Sequence, residues 1–146
     1  MMKVSKELRF EAGHRLINGY PGNCRNLHGH SYVVTIEMTS QKRLLNDYDF
    51  VKDFGEFKPL KQWIDDNWDH SLIIASKDSS LIEFVEKENQ RHYIINGNPT
   101  AENMCIDLFK VAGLLLNDDW AVVTAVKVYE TTTSEAVYSP PVTLRE

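Results

Sequence analysis

Apolar and polar side chains alternate along two segments in the first part of the chain. The apolar members are Leu8, Phe10 and Ala12 within residues 3–14, and Tyr32, Val34, Ile36 and Met38 within residues 28–38. A two-residue period is typical of β-strands. The segment between them, "INGYPGNCRN", is dense in Gly, Pro and Asn and indicates a loop. The pattern therefore predicts two neighbouring antiparallel strands.

From Gly55 onward the apolar spacing changes to three and four residues, which predicts an amphipathic helix. Residues 80–88 predict a second, short helix. The segment "NPTAENMCIDLFKVAGLLL" predicts a longer one, with Thr100 as its N-cap. Two late segments, "AVVTAVKVYE" and "AVYS", predict further strands. The order of elements predicts an α+β fold with an antiparallel sheet, formed as a single domain over residues 1–146.

Composition narrows the classes of partner. The 146 residues carry a net charge of −5 with no run of Lys or Arg, so nucleic acid is not an expected partner. No apolar run reaches the roughly 18 residues that predict a membrane span. The amino terminus, "MMKVSKELRF", lacks the apolar core of a secretory signal. We therefore expect a cytoplasmic protein whose Cys24 and Cys105 are reduced thiols.

Three of the five histidines fall on the first predicted hairpin. His28 and His30 are two residues apart, so their side chains leave one face of a strand, and His14 ends the preceding strand. Three converging imidazoles leave a fourth position for water or substrate, which is typical of catalytic zinc. Nickel, copper or iron also accept imidazole ligands. The alternative is a set of polar strand residues with satisfied hydrogen bonds.

Cys24 lies in the polar loop that leads into the second strand. As a fourth ligand it would close a metal site and make it structural. Left free beside a dication, its thiolate form would be favoured. Cys105 lies in mid-helix between apolar residues and is better interpreted as a small buried side chain.

Three acidic positions need weighing against ordinary surface roles. Asp69 and His70 are adjacent, and a carboxylate can hold an imidazole tautomer or assist proton transfer, although the dipeptide alone is a weak signal. Glu130 ends an apolar strand, where a carboxylate is more often solvent-facing. Glu102 is explained as a first-turn acid near a helix dipole.

Six motifs occur in a particular order along the chain: His14, the spacing C-x3-H-G-H, "VKDF" before a helix, "DH", "PTAEN" and a late "YET". Together they resemble the 6-pyruvoyltetrahydropterin synthase and 6-carboxytetrahydropterin synthase family over residues 8–138. The resemblance implies three sets of roles: zinc binding for His14, His28 and His30, proton transfer for Cys24, Asp69 and His70, and pterin binding for Glu130 and Thr100.

The resemblance also implies an architecture. It predicts a four-stranded antiparallel sheet with two main helices packed on one face. The sheets of several subunits would join into a barrel within a homo-oligomer, a hexamer built from trimers. Sites shared between subunits would follow from such an assembly.

Both activities of the family start from 7,8-dihydroneopterin triphosphate. One eliminates triphosphate to give 6-pyruvoyltetrahydropterin. The other also releases acetaldehyde and gives 6-carboxy-5,6,7,8-tetrahydropterin on the route to queuosine and other 7-deazapurines. The three residues between Cys24 and His28 are similar to the spacing in bacterial carboxy enzymes, so the resemblance favours that product. A non-catalytic module that binds pterin or zinc is a further alternative.

Some features belong to this chain rather than to the resemblance. Trp68 precedes the Asp-His pair where the family usually has Leu, and residues 75–98 form a longer stretch than in compact bacterial members. His92 lies in that stretch without a motif around it and receives no role. Because the chain is acidic overall, a triphosphate substrate requires local basic residues, which the motifs do not identify.

Overall fold

A computed structural model describes residues 1–42 and 45–145. It contains one mixed sheet, with three helices along the chain. In chain order the elements are β1 (Lys3–His14), β2 (His28–Ser40), α1 (Lys58–Asn67), β3 (Ser71–Ala75), α2 (Ser79–Lys87), β4 (His92–Ile95), α3 (Ala101–Leu116), β5 (Ala121–Thr131) and β6 (Ser134–Tyr138). The six strands are arranged in the order β4-β3-β1-β2-β5-β6. The α+β class is confirmed.

The antiparallel hairpin of β1 and β2 is the centre of the sheet. Its register pairs Lys3 with Thr39 at one end and His14 with His28 at the other. The alternation seen in the sequence puts Phe10 and Tyr32, which are 2% and 1% exposed, on the face that packs against helices. Their rings stack with centroids 5.0 Å apart. The two-residue period therefore predicted both the strands and their buried face.

The prediction of a four-stranded antiparallel sheet is wrong in strand number and direction. The predicted antiparallel set is present as β1, β2, β5 and β6, but β3 runs parallel to β1 and β4 runs parallel to β3. The two added strands are the short runs "SLIIA" and "HYII". Strands in parallel sheets read as short apolar runs without alternation, so the two-residue period gave no signal for them.

Three helices are present where the resemblance implied two main ones. α1 and α3 contribute Leu60, Ile64 and Leu108 to the same buried cluster as the β1–β2 hairpin. α2 connects β3 to β4 and packs in a smaller cluster with Leu81 and Val85. In the described ranges, no helix has both the length and the apolar character needed to cross a membrane.

One edge of the hairpin is only partly covered. β3 pairs with β1 at Ala12 and Gly13 alone. The same edge of β1 from Lys3 to Glu11 therefore has no strand partner within the described residues. Unpaired strand edges readily accept another strand.

Candidate active site

The three hairpin histidines converge at one end of the sheet. His14 lies directly opposite His28 in the register, and His30 follows two positions along β2 on the same face. The nitrogen atoms that could bind a metal all lie within 4.8 Å of one another. The ring centroid of His14 is 4.6 Å from that of His28 and 5.1 Å from that of His30. We call these three residues the histidine cluster.

Backbone carbonyl groups fix the tautomers of two of these rings. His14 Nδ1 donates to the carbonyl oxygen of Pro99 at 2.7 Å, and His28 Nδ1 donates to that of Asn26 at 2.6 Å. In the neutral rings both Nε2 atoms therefore carry lone pairs, and they lie 3.0 Å apart. Two lone pairs at this separation repel each other unless a cation lies beside both. Carbonyl partners of this kind are typical of histidines that bind metals.

The third ring, that of His30, also suits a metal ligand. His30 Nε2 is buried and forms no hydrogen bond within residues 1–42 and 45–145; the Oε1 atom of Glu130 lies 3.5 Å away. A buried nitrogen without a partner costs about 1–3 kcal/mol, which coordination would remove. Burial also holds the pKa of His14 and of His30 below the usual value, so both rings stay neutral. The cluster could hold a metal ion, and the donors suit one that accepts imidazole.

Cys24 is half-buried and lies outside the histidine cluster, on the turn formed by Asn23–Arg25. The turn is tied back to the end of β1 because Leu16 N donates to Cys24 O at 2.8 Å. Asn98 holds the same segment from the other side. Its side chain accepts from Ile17 N at 2.9 Å and donates to Ile17 O at 3.3 Å. The thiol loop is therefore fixed relative to the segment that carries Pro99.

A cavity of about 320 Å³ adjoins the histidine cluster, and we call it the carboxylate cavity. Its lining brings together Cys24, Thr100 and Glu130 with His14. Thr100 is the N-cap of α3, where its hydroxyl oxygen accepts from Asn103 N at 3.2 Å. Glu130 is partly buried, and its Oε2 atom lies 3.9 Å from His14 Nε2. These residues come from β1, β5, the start of α3 and the thiol loop, so the fold brings them together from distant parts of the chain.

Asp69 and His70 form a hydrogen-bonded pair just beyond α1. Asp69 Oδ2 accepts from His70 Nδ1 at 2.9 Å, and Asp69 Oδ1 accepts from Glu11 N at 2.9 Å. The hydrogen bond from Glu11 is the main cause that lowers the pKa of Asp69, so its carboxylate stays ionised at neutral pH. His70 has a φ of 54°, a left-handed conformation that is strained for a residue with a side chain. Strain of this kind is concentrated at functional sites.

The structure does not bring this pair into the carboxylate cavity of the same chain. His70 is exposed and lines a separate cavity of about 600 Å³, which we call the arginine cavity because Arg91 also lines it. Glu11, Gly13 and Gly29 line it as well, together with the inward-facing Ala12 and His30. Cys24 and His70 therefore line two separate cavities, which reach the histidine cluster at His14 and at His30 respectively.

Several residues around these cavities were missed by sequence reasoning. Pro99 and Asn98 act through a carbonyl oxygen and a long-range amide contact, and neither leaves a periodic signal in the sequence. Glu135 lines the carboxylate cavity together with Glu102, which the sequence explained by the helix dipole alone. Arg91 donates from Nη2 to the carbonyl oxygens of Asp65 and Asp69, at 2.7 and 3.1 Å. The dipeptide "NP" before the N-cap Thr was the one signal in the sequence that could have drawn attention to Asn98 and Pro99.

Comparison with known sequences finds relatives over nearly the whole chain. A family model described as 6-pyruvoyl tetrahydropterin synthase matches residues 3–141. A 6-carboxy-5,6,7,8-tetrahydropterin synthase of Rickettsia bellii is 37% identical over 134 residues, which cover 90% of this chain and 95% of that protein. The protein of the same name from Rickettsia typhi is 40% identical with the same coverage.

Solved structures share the fold at lower identity. An uncharacterized protein of Wolinella succinogenes superposes with a TM-score of 0.83 at 23% identity, covering 96% of this chain and 98% of its own. The 6-pyruvoyl tetrahydropterin synthase of Caenorhabditis elegans superposes with a TM-score of 0.67 at 22% identity, covering 96% of each chain.

Fold, site and relatives together define an enzyme, a lyase of the tetrahydropterin synthase type. The chain belongs to the 6-pyruvoyl tetrahydropterin synthase family. The family resemblance read from the six motifs is confirmed. The non-catalytic module considered as an alternative is not supported.

Proposed function

We propose that this enzyme converts 7,8-dihydroneopterin triphosphate to 6-carboxy-5,6,7,8-tetrahydropterin with loss of acetaldehyde and triphosphate. The observation that carries the proposal is the meeting of the histidine cluster, Cys24 and Glu130 around one cavity. The names of the Rickettsia relatives support the carboxy product. The three-residue gap between Cys24 and His28 supports the same choice. A place in queuosine biosynthesis and a cytoplasmic location remain predictions.

The carboxylate cavity suits the pterin ring. Glu130 offers two acceptor oxygens to the neighbouring 2-amino and ring N–H groups, which donate in parallel. Thr100 uses its hydroxyl oxygen to cap α3, so its O–H can donate to a ring nitrogen or carbonyl. In this role Glu130 orients the ring so that the side chain of the substrate extends toward the histidine cluster.

The proton transfers are assigned to the chain's own groups. A zinc ion held by His14, His28 and His30 would polarise the side-chain oxygens of the substrate and acidify the adjacent C–H bonds. Cys24, in its fixed loop, removes a proton through its sulfur atom. His70 handles a second proton at Nε2, because Asp69 holds its Nδ1 and so fixes the tautomer.

We further propose that one complete site is shared between copies of the chain in a homo-oligomer. Support comes from His70, which lines a different cavity from Cys24 within one chain. The partly uncovered edge of β1 offers a surface on which another copy could add a strand. Mixing a Cys24→Ala variant with a His70→Ala variant under conditions that exchange subunits tests this. Recovered turnover supports shared sites, and its absence after demonstrated exchange contradicts them.

Product analysis tests the reaction. The purified enzyme is incubated with 7,8-dihydroneopterin triphosphate, and its products are followed by mass spectrometry. Carboxytetrahydropterin with acetaldehyde supports the proposal. Pyruvoyltetrahydropterin would support the other activity, the one for which the Caenorhabditis elegans protein is named. Absence of turnover by metal-loaded protein would contradict both reactions.

A further inference from the structure

The carboxylate cavity is poorly suited to one half of the proposed substrate. Three glutamates line it, Glu102, Glu130 and Glu135. Within the described part of the chain, no lysine or arginine does so. A pterin edge that donates hydrogen bonds fits this lining. A triphosphate carrying several negative charges is repelled by it, because like charges at short range in a partly enclosed site interact strongly. The triphosphate must therefore be received by other residues.

The arginine cavity is less acidic, because its lining holds one arginine, Arg91, and one glutamate, Glu11. Nitrogen-bearing side chains make up much of the rest of the lining: His30, His70, Asn89 and Gln90. Gly13 pairs with Gly29 across the two strands in this lining, and the Leu72 side chain occupies the place that a side chain at Gly13 would take. The volume of about 600 Å³ leaves ample room for a group as compact as a triphosphate.

Arg91 is held ready for such a ligand. Its Nη2 atom donates to the carbonyl oxygens of Asp65 and Asp69, which fixes the guanidinium beside the Asp69–His70 turn. The hydrogen bonds of the described residues use no other nitrogen of this group, so Nη1 and Nε remain for a ligand. The N–H of Nε lies alongside Nη2 and not alongside Nη1, so Nε and Nη1 each offer a separate charge-assisted hydrogen bond to a phosphate oxygen. Asn89, two residues earlier, has a φ of 51°, so the backbone turns sharply at the rim.

We propose that Arg91, with the side-chain amides of Asn89 and Gln90, binds the triphosphate group of the substrate beside His70. This subsite rests on the proposed function, since it assigns a place to a group of that substrate. It also gives the stretch of residues 75–98, which none of the six motifs covers, a role in charge recognition. Whichever copy of the chain supplies His70 to a site supplies Arg91 with it, because both line one cavity.

A substitution at Glu11 gives an independent test, because its expected effect on triphosphate binding is a gain and not a loss. Glu11 is the glutamate on the lining of the arginine cavity, where Ser31 Oγ donates to it at 2.6 Å. If a polyanion binds here, removing this negative charge strengthens binding. A residue that merely supports the fold would not produce that gain.

The direct experiment is calorimetric titration of the metal-loaded full-length protein with inorganic triphosphate. Arg91→Ala is expected to weaken binding about 10- to 100-fold, as for loss of charge-assisted hydrogen bonds. Glu11→Gln is expected to strengthen it a few-fold, and Arg91→Lys to restore part of the loss. Arg145→Ala is the matched control, because Arg145 pairs with the exposed Asp119. Metal content is measured before and after titration, since triphosphate also chelates zinc.

Kinetics separate binding from support of the Asp69–His70 turn. Arg91→Ala is expected to raise the KM for dihydroneopterin triphosphate by a similar factor, with a smaller change in kcat. Asn89→Gly keeps the left-handed backbone and removes one amide, so a smaller rise in KM is expected. Equal losses of kcat in Arg91→Ala and Asp69→Ala, with unchanged triphosphate affinity, would assign Arg91 a supporting role only and overturn the subsite.

The outcomes also separate the subsite from the proposed reaction. Wild-type turnover together with Arg91→Ala binding equal to the Arg145→Ala control overturns the subsite and leaves the reaction standing. Triphosphate binding that depends on Arg91, in a protein that yields no pterin product, supports the anion site and contradicts the reaction.

Discussion

Histidine serves in two different settings in this protein, at the histidine cluster and at the Asp69–His70 turn. In the cluster, His14 is 1% exposed and its Nδ1 donates to a backbone carbonyl. At the turn, the His70 side chain is 76% exposed and its Nδ1 donates to a carboxylate. Burial favours an uncharged ring in the cluster, whereas at the turn the carboxylate of Asp69 fixes the tautomer of His70 and its exposed side chain stays accessible.

The comparison teaches that the partner of Nδ1, together with convergence, separates the candidate metal ligands from the proposed proton carrier. His92 shows that the carbonyl contact alone is not enough. Its Nδ1 also lies 2.8 Å from a carbonyl oxygen, that of Gln90, yet it is not among the three rings that converge. Substitutions in the two settings test this distinction, and the largest effect is expected in the histidine cluster.

Replacing a cluster histidine is expected to have the largest effect. His28→Ala removes one of three ligands, so metal affinity should fall by more than about 100-fold and turnover should be lost. Elemental analysis of the purified variant measures the bound metal per chain. His92→Ala is the matched control and should keep the wild-type metal content. Equal metal in both variants would show that the cluster is not the binding site.

Replacing His70 should separate chemistry from metal binding. His70→Ala is expected to lower kcat by about 10²- to 10⁴-fold, the usual contribution of a general acid or base. Bound metal should stay at the wild-type level, because His70 lies outside the cluster. Steady-state kinetics and elemental analysis on the same preparation check both statements. Loss of metal would refute the distinction between the two settings.

The contact between Asn98 and Ile17 tests how firmly the segment that leads to Cys24 is held. Asn98→Ala leaves the N–H and C=O of Ile17 without their side-chain partner, so the free energy of unfolding should fall by about 1–3 kcal/mol. Iodoacetamide should also modify Cys24 faster, with buried Cys105 as an internal reference. Urea denaturation and mass spectrometry measure the two effects. The control variant is Asn26→Ala, in the loop that carries Cys24. It should change the free energy of unfolding and the rate of Cys24 modification much less than Asn98→Ala does.

The pH dependence of stability tests the contribution of the Asp69 carboxylate. Because the folded-state pKa of Asp69 lies below its ordinary value of about 4, its stabilising effect is complete at neutral pH. That effect is lost as the pH falls from about 4 toward the folded-state value. The difference in unfolding free energy between wild type and Asp69→Asn should therefore shrink in acid. Urea denaturation between pH 3 and pH 7 checks this, and a constant difference would contradict it.

The fold could be predicted where one face of an element is buried and the other is not. The hydrophobic periodicity of β1, β2 and α1 is visible in the sequence, because each has a polar and an apolar side. β3 and β4 carry no such contrast, so parallel pairing with β1 remained invisible in the sequence. Helix α1 also begins one turn later than its apolar pattern, because a 3-10 turn at Phe54–Phe57 precedes it.

The candidate site divides in the same way. Side chains with distinctive chemistry, such as His14, Cys24 and Glu130, could be named from the sequence, and the structure brings these three to one cavity. Contacts made by the backbone could not be foreseen, because any residue supplies a carbonyl oxygen. The position of Pro99 against His14 and the link from Glu11 to Asp69 depend on the tertiary fold alone.

The hairpin register has a consequence for how errors in folding would be expressed. His14 faces His28 across β1 and β2, and Ala12 faces His30. A slip by one position would turn His14 to the other side of the sheet, because strand side chains alternate. A mispaired chain would then be unable to capture its ion at all. With the proposed ion in the cluster, metal content would therefore report correct pairing of the hairpin, and mispaired copies would be metal-free and inactive.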